Sequence, residues 1–269
     1  MSIKLVAVDI DGTLLNSQHQ ITPDVKQAIQ EAKEAGVKIV IATGRPISGV
    51  HHILEELQLN QAGDFVITFN GSLVQDAHTG EDFVKNTLSY QDYLDLVHLS
   101  NTLSLPMHAS TKEGLFTANR NIGKYTVYES TLVNAPIFYR TPEEMTDKEI
   151  IKVMMVDEPE HLDKALETIP AAFFDRFTIA KSAPFYLEFT PKQANKGLAI
   201  IALAQKLGLT MDQTMAIGDQ ENDRPMLEVV GHPVVMENGS DSVKAIAKTI
   251  TKSNDEHGVA HAIREWVLN

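Results

Sequence analysis

The sequence predicts an α/β protein: a doubly wound parallel sheet split by an inserted, smaller α+β domain. Three observations predict it. Short runs that are apolar throughout alternate with amphipathic segments of helical spacing, as expected for strands covered by helices on both faces. That rhythm breaks near residue 70 and returns near residue 190. Clusters of Asp, Thr, Gly and Lys fall where strands end or helices begin, the side on which open parallel sheets hold ligands.

Residues 3–9, IKLVAVD, form a β-branched run that stops at acids and glycine, a buried strand. Thr22-Pro23-Asp24 reads as a helix cap, a first-turn proline and a first-turn acid. Val25, Ala28, Ile29, Ala32 and Ala35 give that helix one apolar face, and Gly36 ends it. VKIVIAT (37–43) predicts a second strand, Pro46 opens a helix carrying Val50, Ile53, Leu54 and Leu57, and FVITF (65–69) predicts a third strand. Asn70-Gly71 is a tight-turn pair followed by hairpin material. Helices are expected over 90–103 and around 121–134, with strands near 106–118, 151–156, 174–180 and 184–189. The parallel rhythm then resumes with helix 195–207, strand 214–218, a helix over about 222–229, strand 232–236, and helices near 241–247 and 257–267. The expected domains are therefore 1–82 with 191–269 as a core, and 83–190 as the insertion.

The 269 residues are 43% hydrophobic and 22% charged, which supports a sizeable core and excludes a disordered chain. Net charge is −13, a surface that repels phosphate backbones and argues against nucleic-acid or anionic-membrane binding. A phosphorylated ligand would need a local cationic pocket or a bound metal. The absence of cysteine removes disulfides, thiolate nucleophiles and thiolate-ligated metals. The start, MSIKLVAVDIDG, carries acids within its apolar run and does not fit a secretory signal, and no stretch has the ~18 consecutive apolar residues of a membrane span. A cytoplasmic location is the expectation, and a homo-oligomer is compatible with the sequence.

Four constellations carry chemistry. Asp9-Ile10-Asp11-Gly12-Thr13 closes the first strand, and residues two apart on an extended segment share a face. Two such carboxylates repel unless a proton or cation lies between them, and their oxygens suit Mg²⁺. Thr43-Gly44-Arg45 closes the second strand, where a hydroxyl and the free N–H groups of a helix start can hold an anion. Lys196, beside Asn195 and Gly197, opens a helix against its dipole, a placement that makes sense if it reaches an anionic ligand. Asp219, Glu221, Asn222 and Asp223 cluster after strand 214–218, as a hard cation requires. Taken singly, each has a plain structural alternative: a cap, an ordinary turn, a solvated lysine, a capped loop. Four together at the strand ends or helix starts of one sheet are far less expected by chance.

The series DxDGT, Thr-Gly-Arg, Lys and GDxxND, in that order, resembles the haloacid dehalogenase (HAD) superfamily of aspartyl-phosphate enzymes, and more narrowly its Cof-type phosphatases, sugar phosphatases among them. The likeness extends along the chain through IATGRPISGVH, ITFNGSLVQ, VMMVDEP, KSAPFYLEF and MAIGDQENDRPMLE. It implies a Rossmann-like core with an α/β cap at 83–190 that closes over it. It implies that Asp9 attacks phosphorus and that Asp11 protonates the leaving group and then deprotonates water. Mg²⁺ would be held by Asp9, Asp11 through its main chain, and Asp219, with Asn222 and Asp223 in support. Thr43 and Lys196 would grip the phosphoryl oxygens, with the N–H groups near Ile10 and Gly44, and with Arg45 and Asn222, on the substrate side. The implied substrates are small phosphorylated metabolites. His108, Asn119, Arg120, Lys181 and Tyr186 are the polar cap residues that could touch the rest of the substrate, although a structural role suits each at least as well. One departure stands out: Arg224-Pro225 follows GDxxND where the family usually carries an aliphatic residue.

Two other activities share parts of this set. Receiver domains combine an acidic Mg²⁺ cluster with a phosphorylated Asp, a Thr and a Lys, but they are far shorter and lack the Asp two residues after the phosphoacceptor. A phosphomutase shares both carboxylates.

Overall fold

A computed structural model describes residues 2–269. In chain order the elements begin with β1 (Leu5–Val8), α1 (Pro23–Glu34), β2 (Lys38–Ala42), α2 (His51–Glu56), β3 (Phe65–Thr68), β4 (Leu73–Asp76) and β5 (Asp82–Lys85). There follow α3 (Tyr90–Leu103), β6 (Met107–Ser110), β7 (Leu115–Thr117), α4 (Lys124–Leu132), β8 (Ile137–Tyr139), β9 (Lys152–Val156), α5 (Pro159–Thr168), α6 (Ala171–Arg176), β10 (Phe177–Ala183) and β11 (Tyr186–Pro191). The last stretch is α7 (Lys196–Lys206), β12 (Thr214–Gly218), α8 (Arg224–Val229), β13 (His232–Val235), α9 (Asp241–Lys244), β14 (Thr249–Ile250) and α10 (Gly258–Trp266). Two compact units result, Met1–Lys85 with Asn195–Asn269, and Asn86–Ala194.

The first unit holds an eight-stranded sheet in the order β14-β13-β12-β1-β2-β3-β4-β5. β14 through β3 run parallel, while β4 and β5 return antiparallel at one edge. Side chains alternate across β1: Val6 and Val8 pack with α1, α2 and α10, whereas Leu5 and Ala7 pack with α7 and α8. Both faces are thus apolar, which is why this strand reads as a continuous hydrophobic run. The chain leaves β1 for β2 on one side and pairs with β12 on the other, so the order of connection reverses at β1. Crevices for ligands open at such a reversal, beyond the strands' carboxyl ends.

The second unit is a six-stranded sheet, β10-β11-β9-β6-β7-β8, antiparallel except for the β7–β8 pair. One face packs Tyr93, Leu96 and Leu99 of α3 and Leu162 and Ala165 of α5 into a single core. The other face carries a small cluster of Met154, Val156 and Tyr186 against Tyr125 of α4.

Several local expectations need amending. Pro46 does not begin an α-helix; its backbone is extended and a 3₁₀ turn, Ile47–Gly49, comes before α2. Residues 174–176, expected as strand, finish α6, which starts after Pro170, and the strand begins only at Phe177. Helix α5, absent from the expected elements, does carry the signal, with Pro159 in its first turn and Leu162, Ala165, Leu166 and Ile169 at helical spacing, whereas β8 and β14, of three and two residues, are too short to declare themselves and are fixed by pairing with β7 and β13. Among the described residues, no helix is long and apolar enough to cross a membrane.

The α7–α8 contact is unusually close. A Cβ on Gly197 would lie 2.2 Å from the carbonyl oxygen of Pro225, and Pro225 is confined to the first turn of α8. Gly197→Ala is therefore expected to cost about 1–3 kcal/mol through overpacking, read as a lower denaturant midpoint. An unchanged midpoint would show that the two helices can separate freely.

Candidate active site

The residues singled out in the four motifs lie in the first unit, on loops that leave the C-terminal ends of its parallel strands or on the first turn of α7. Asp9 directly follows β1 and is buried, its N–H still bonded to Ile217 of β12. The chain then turns sharply at Gly12, whose φ of 82° suits glycine. A side chain there is also sterically excluded, because a Cβ would sit 2.4 Å from Asp219 Oδ2. Gly12 thereby lets the loop after β1 lie against the loop after β12. Thr13 Oγ1 donates to Asp219 Oδ1 at 2.9 Å across that junction, and Asn238 Nδ2 donates to the Gly12 carbonyl at 2.8 Å.

Lys196 is the first residue of α7, after Asn195, whose side chain accepts from Leu198 N at 2.9 Å. It is completely buried. Its Nζ donates to Asp9 Oδ1 and to Asp223 Oδ1, each at 2.6 Å. A buried ammonium at a helix N-terminus opposes the dipole, and these two carboxylates supply the compensation. Burial lowers the proton affinity of Lys196, but the attraction of Asp9 and Asp223 outweighs it and holds the amine well above its usual range. Asp223 Oδ2 accepts from the backbone N–H groups of Asp219 (2.8 Å) and Gln220 (3.1 Å).

Asp9, Asp219 and Asp223 bring one carboxylate oxygen each within 4.8 Å of one another. Three buried carboxylates face one ammonium, which leaves an excess of negative charge. Burial, with that repulsion, pushes Asp9 up to about 7 and also raises Asp219. Hard oxygen donors with surplus negative charge are what a small divalent cation requires, so the residues present fit such an ion. Both oxygens of Asp223 are already engaged within the protein. Both oxygens of Asp219 also accept, from the neutral donors Thr13 and Gln220, and since a carboxylate has about four lone-pair sites, all three acids keep capacity for a cation.

The remaining expected site residues form an adjoining group. Thr43 is buried at the end of β2, and its Oγ1 accepts from Arg45 N at 3.1 Å. Arg45 grips Asp11, with Nε to Oδ2 at 3.0 Å and Nη2 to Oδ1 at 2.5 Å. Ile10 is wholly buried. Asn222 does not join the acidic cluster through a hydrogen bond of its own; its Nδ2 meets Asn70 Oδ1 at 3.4 Å. Asn70 stands after β3 with φ 54°, and a Cβ on Gly44 would come within 3.1 Å of its amide. Arg224 has its charge taken up by Glu221 (2.9 Å), Glu228 (3.5 Å) and the Ser242 carbonyl (2.9 Å).

The five polar residues expected in the insertion all belong to the second unit. His108 is buried beside Thr126 Oγ1 (3.3 Å), and burial holds its imidazole down at about 3. Asn119 accepts from Met107 N and from Thr117 Oγ1, Lys181 pairs with Asp163, and the Tyr186 hydroxyl donates to the Tyr125 carbonyl. Arg120 is exposed.

The family described as haloacid dehalogenase-like hydrolase matches residues 6–263. The chain belongs to the haloacid dehalogenase-like hydrolase family. A Streptococcus pyogenes serotype M6 protein named "Putative phosphatase M6_Spy0533" is 69% identical over the full length of both chains. The Bacillus subtilis (strain 168) 5-amino-6-(5-phospho-D-ribitylamino)uracil phosphatase YcsE is 33% identical over 100% of this chain and 97% of its own. The solved structure of the HAD subclass IIB sugar phosphatase BT4131 superposes with a TM-score of 0.80 at 25% identity, covering 99% of this chain and 100% of that one. The chain is an HAD-type phosphatase, a phosphoric monoester hydrolase.

Four further residues of this HAD chain join the candidate site without standing out in its motifs: Thr13, Asn70, Gln220 and Asn238. In the sequence Thr13 reads only as part of DxDGT and Asn70 only as a turn former. The available signal was position, since Asn70 follows a parallel strand as Asp9 and Thr43 do. Asn238 lies in the loop after β13, and nothing short of coordinates links it to Gly12.

Proposed function

We propose that this HAD phosphatase hydrolyses small phosphorylated metabolites, sugar phosphates foremost, with Mg²⁺ and through an aspartyl-phosphate intermediate. On the same reading residues 1–82 and 191–269 carry the chemistry and residues 83–190 are the cap. The observation that carries the proposal is Lys196, buried and bonded at 2.6 Å to both Asp9 and Asp223, in one cluster with Asp219.

Asp9 is the nucleophile: its carboxylate attacks phosphorus, the bond to the alkoxide breaks, and water later cleaves the acyl phosphate. Asp11 gives a proton to the departing alkoxide and later takes one from that water. Lys196 fixes the direction of Asp9 and lends positive charge to the phosphoryl oxygens, with Thr43 and the N–H groups near Ile10 and Gly44 as neutral donors. Asp9, the Asp11 carbonyl and Asp219 would hold Mg²⁺, with Asp223 orienting Lys196 and the Asp219 loop and Asn222 alongside. When bound, that ion supplies the charge that lets an anionic nucleophile meet an anionic phosphoryl group. The sugar-phosphate preference rests on the BT4131 likeness and on the polyol phosphate in the name of the YcsE substrate.

A phosphate-release screen over sugar phosphates, nucleotides and phosphorylated cofactors tests the proposal. Turnover of sugar phosphates is expected with Mg²⁺, silence in excess chelator, and recovery on adding Mg²⁺ back. Full activity in chelator would remove the metal from the reading. Isomerised product without free phosphate would replace the hydrolase with a mutase.

A further inference from the structure

We propose that Arg45 is a positioning residue for Asp11, a role that rests on the phosphatase reading above. The motif alone suggests a cation for substrate phosphate, but the guanidinium is engaged elsewhere. It forks onto the Asp11 carboxylate with Nε–Oδ2 at 3.0 Å and Nη2–Oδ1 at 2.5 Å. A two-point fork fixes the plane of a carboxylate as a single contact cannot. It also uses only two of the roughly four lone-pair sites on that group, leaving others to exchange a proton.

Asp11 needs such a hold. Its side chain is 56% exposed, and the chain reverses at Gly12 immediately after it. Arg45 is itself anchored: its N–H donates to Thr43 Oγ1 at 3.1 Å, its carbonyl accepts from Phe69 N at 3.1 Å, and Nη1 reaches the Gly49 carbonyl at 3.5 Å. The pair ties the loop after β1 to the loop after β2. With the Arg45 side chain 31% and that of Asp11 56% exposed, solvent screens the pair and limits what it adds to stability. Orientation is the better account, because proton transfer demands a heavy-atom approach of about 2.6–3.2 Å.

The test is a double-mutant cycle on the full chain with Mg²⁺, using a sugar phosphate turned over in the screen. Arg45→Gln should lower kcat by about 10- to 100-fold, the scale of a misplaced catalytic group, with KM within twofold and an unchanged melting midpoint. Arg45→Lys keeps the charge without the fork and should rescue little of kcat. The losses from Arg45→Gln and Asp11→Asn should be strongly non-additive, as for residues that act as a unit. A raised KM with kcat intact, restored by Arg45→Lys, would make Arg45 a phosphate ligand and overturn the proposal. Additive losses, or no loss, would overturn it too. If Arg45→Gln melts early, the Arg45→Lys variant decides by the same kcat and KM split. An active Asp9→Asn variant would instead defeat the aspartyl-phosphate mechanism on which this role rests, so the two failures are distinguishable.

Discussion

Asp9→Asn is expected to lower phosphate release by roughly a thousandfold or more, the scale on which losing a covalent nucleophile acts. The exchange is nearly isosteric and removes the oxygen that would bond to phosphorus, while the amide can still accept from Lys196 through its remaining oxygen. Folding should survive, since Asp9 contributes a buried charge rather than packing volume, and the Asp9 N–H bond to Ile217 is untouched. Circular dichroism alongside the phosphate assay checks both halves. Retained turnover in a folded variant would exclude Asp9 as nucleophile.

Lys196→Met should damage both activity and stability. The substitution keeps most of the side-chain volume but leaves Asp9, Asp219 and Asp223 buried with no cation among them. Removing one partner of a buried charge network costs about 3–5 kcal/mol, so the urea midpoint should fall well below that of the parent in chelator. Added Mg²⁺ should recover part of that loss, because binding to the native cluster alone stabilises it by mass action. Turnover should stay about a hundredfold or more below the parent even with Mg²⁺, since Lys196 also directs Asp9. A midpoint indifferent to both the substitution and Mg²⁺ would mean that the cluster carries no such charge imbalance.

Much of the first unit is legible in the sequence. The strands β1, β2, β3 and β12 are apolar apart from Lys38, Thr68 and Thr214 at their ends because each is covered on both faces, and α1 shows its cap, its proline and its stripe in the expected places. The second unit was less readable. Its strands are short and mostly antiparallel, with mixed faces, and α4 carries Val127, Tyr128 and Leu132 on the outside, so periodicity misleads about what is buried. Residues 174–180 illustrate the point: a β-branched and aromatic run suggests strand, yet Pro170 sets up a helical turn that lasts to Arg176.

The site divides in the same way. Order and spacing along the chain single out Asp9, Asp11, Thr43, Lys196 and the Asp219–Asp223 cluster as candidates, because chemistry on phosphate calls for few residue types at strand ends. They also indicated the doubly wound sheet that would carry them. Which charge meets which was decided by tertiary structure alone: that Lys196 bridges Asp9 and Asp223, that Asp223 has both oxygens occupied, and that Arg45 holds Asp11. The reason is that such pairings depend on how closely loops from distant strands approach. Here that approach is set by Gly12 against Asp219 and by Gly197 against Pro225, contacts across gaps of hundreds or tens of residues that no local pattern records.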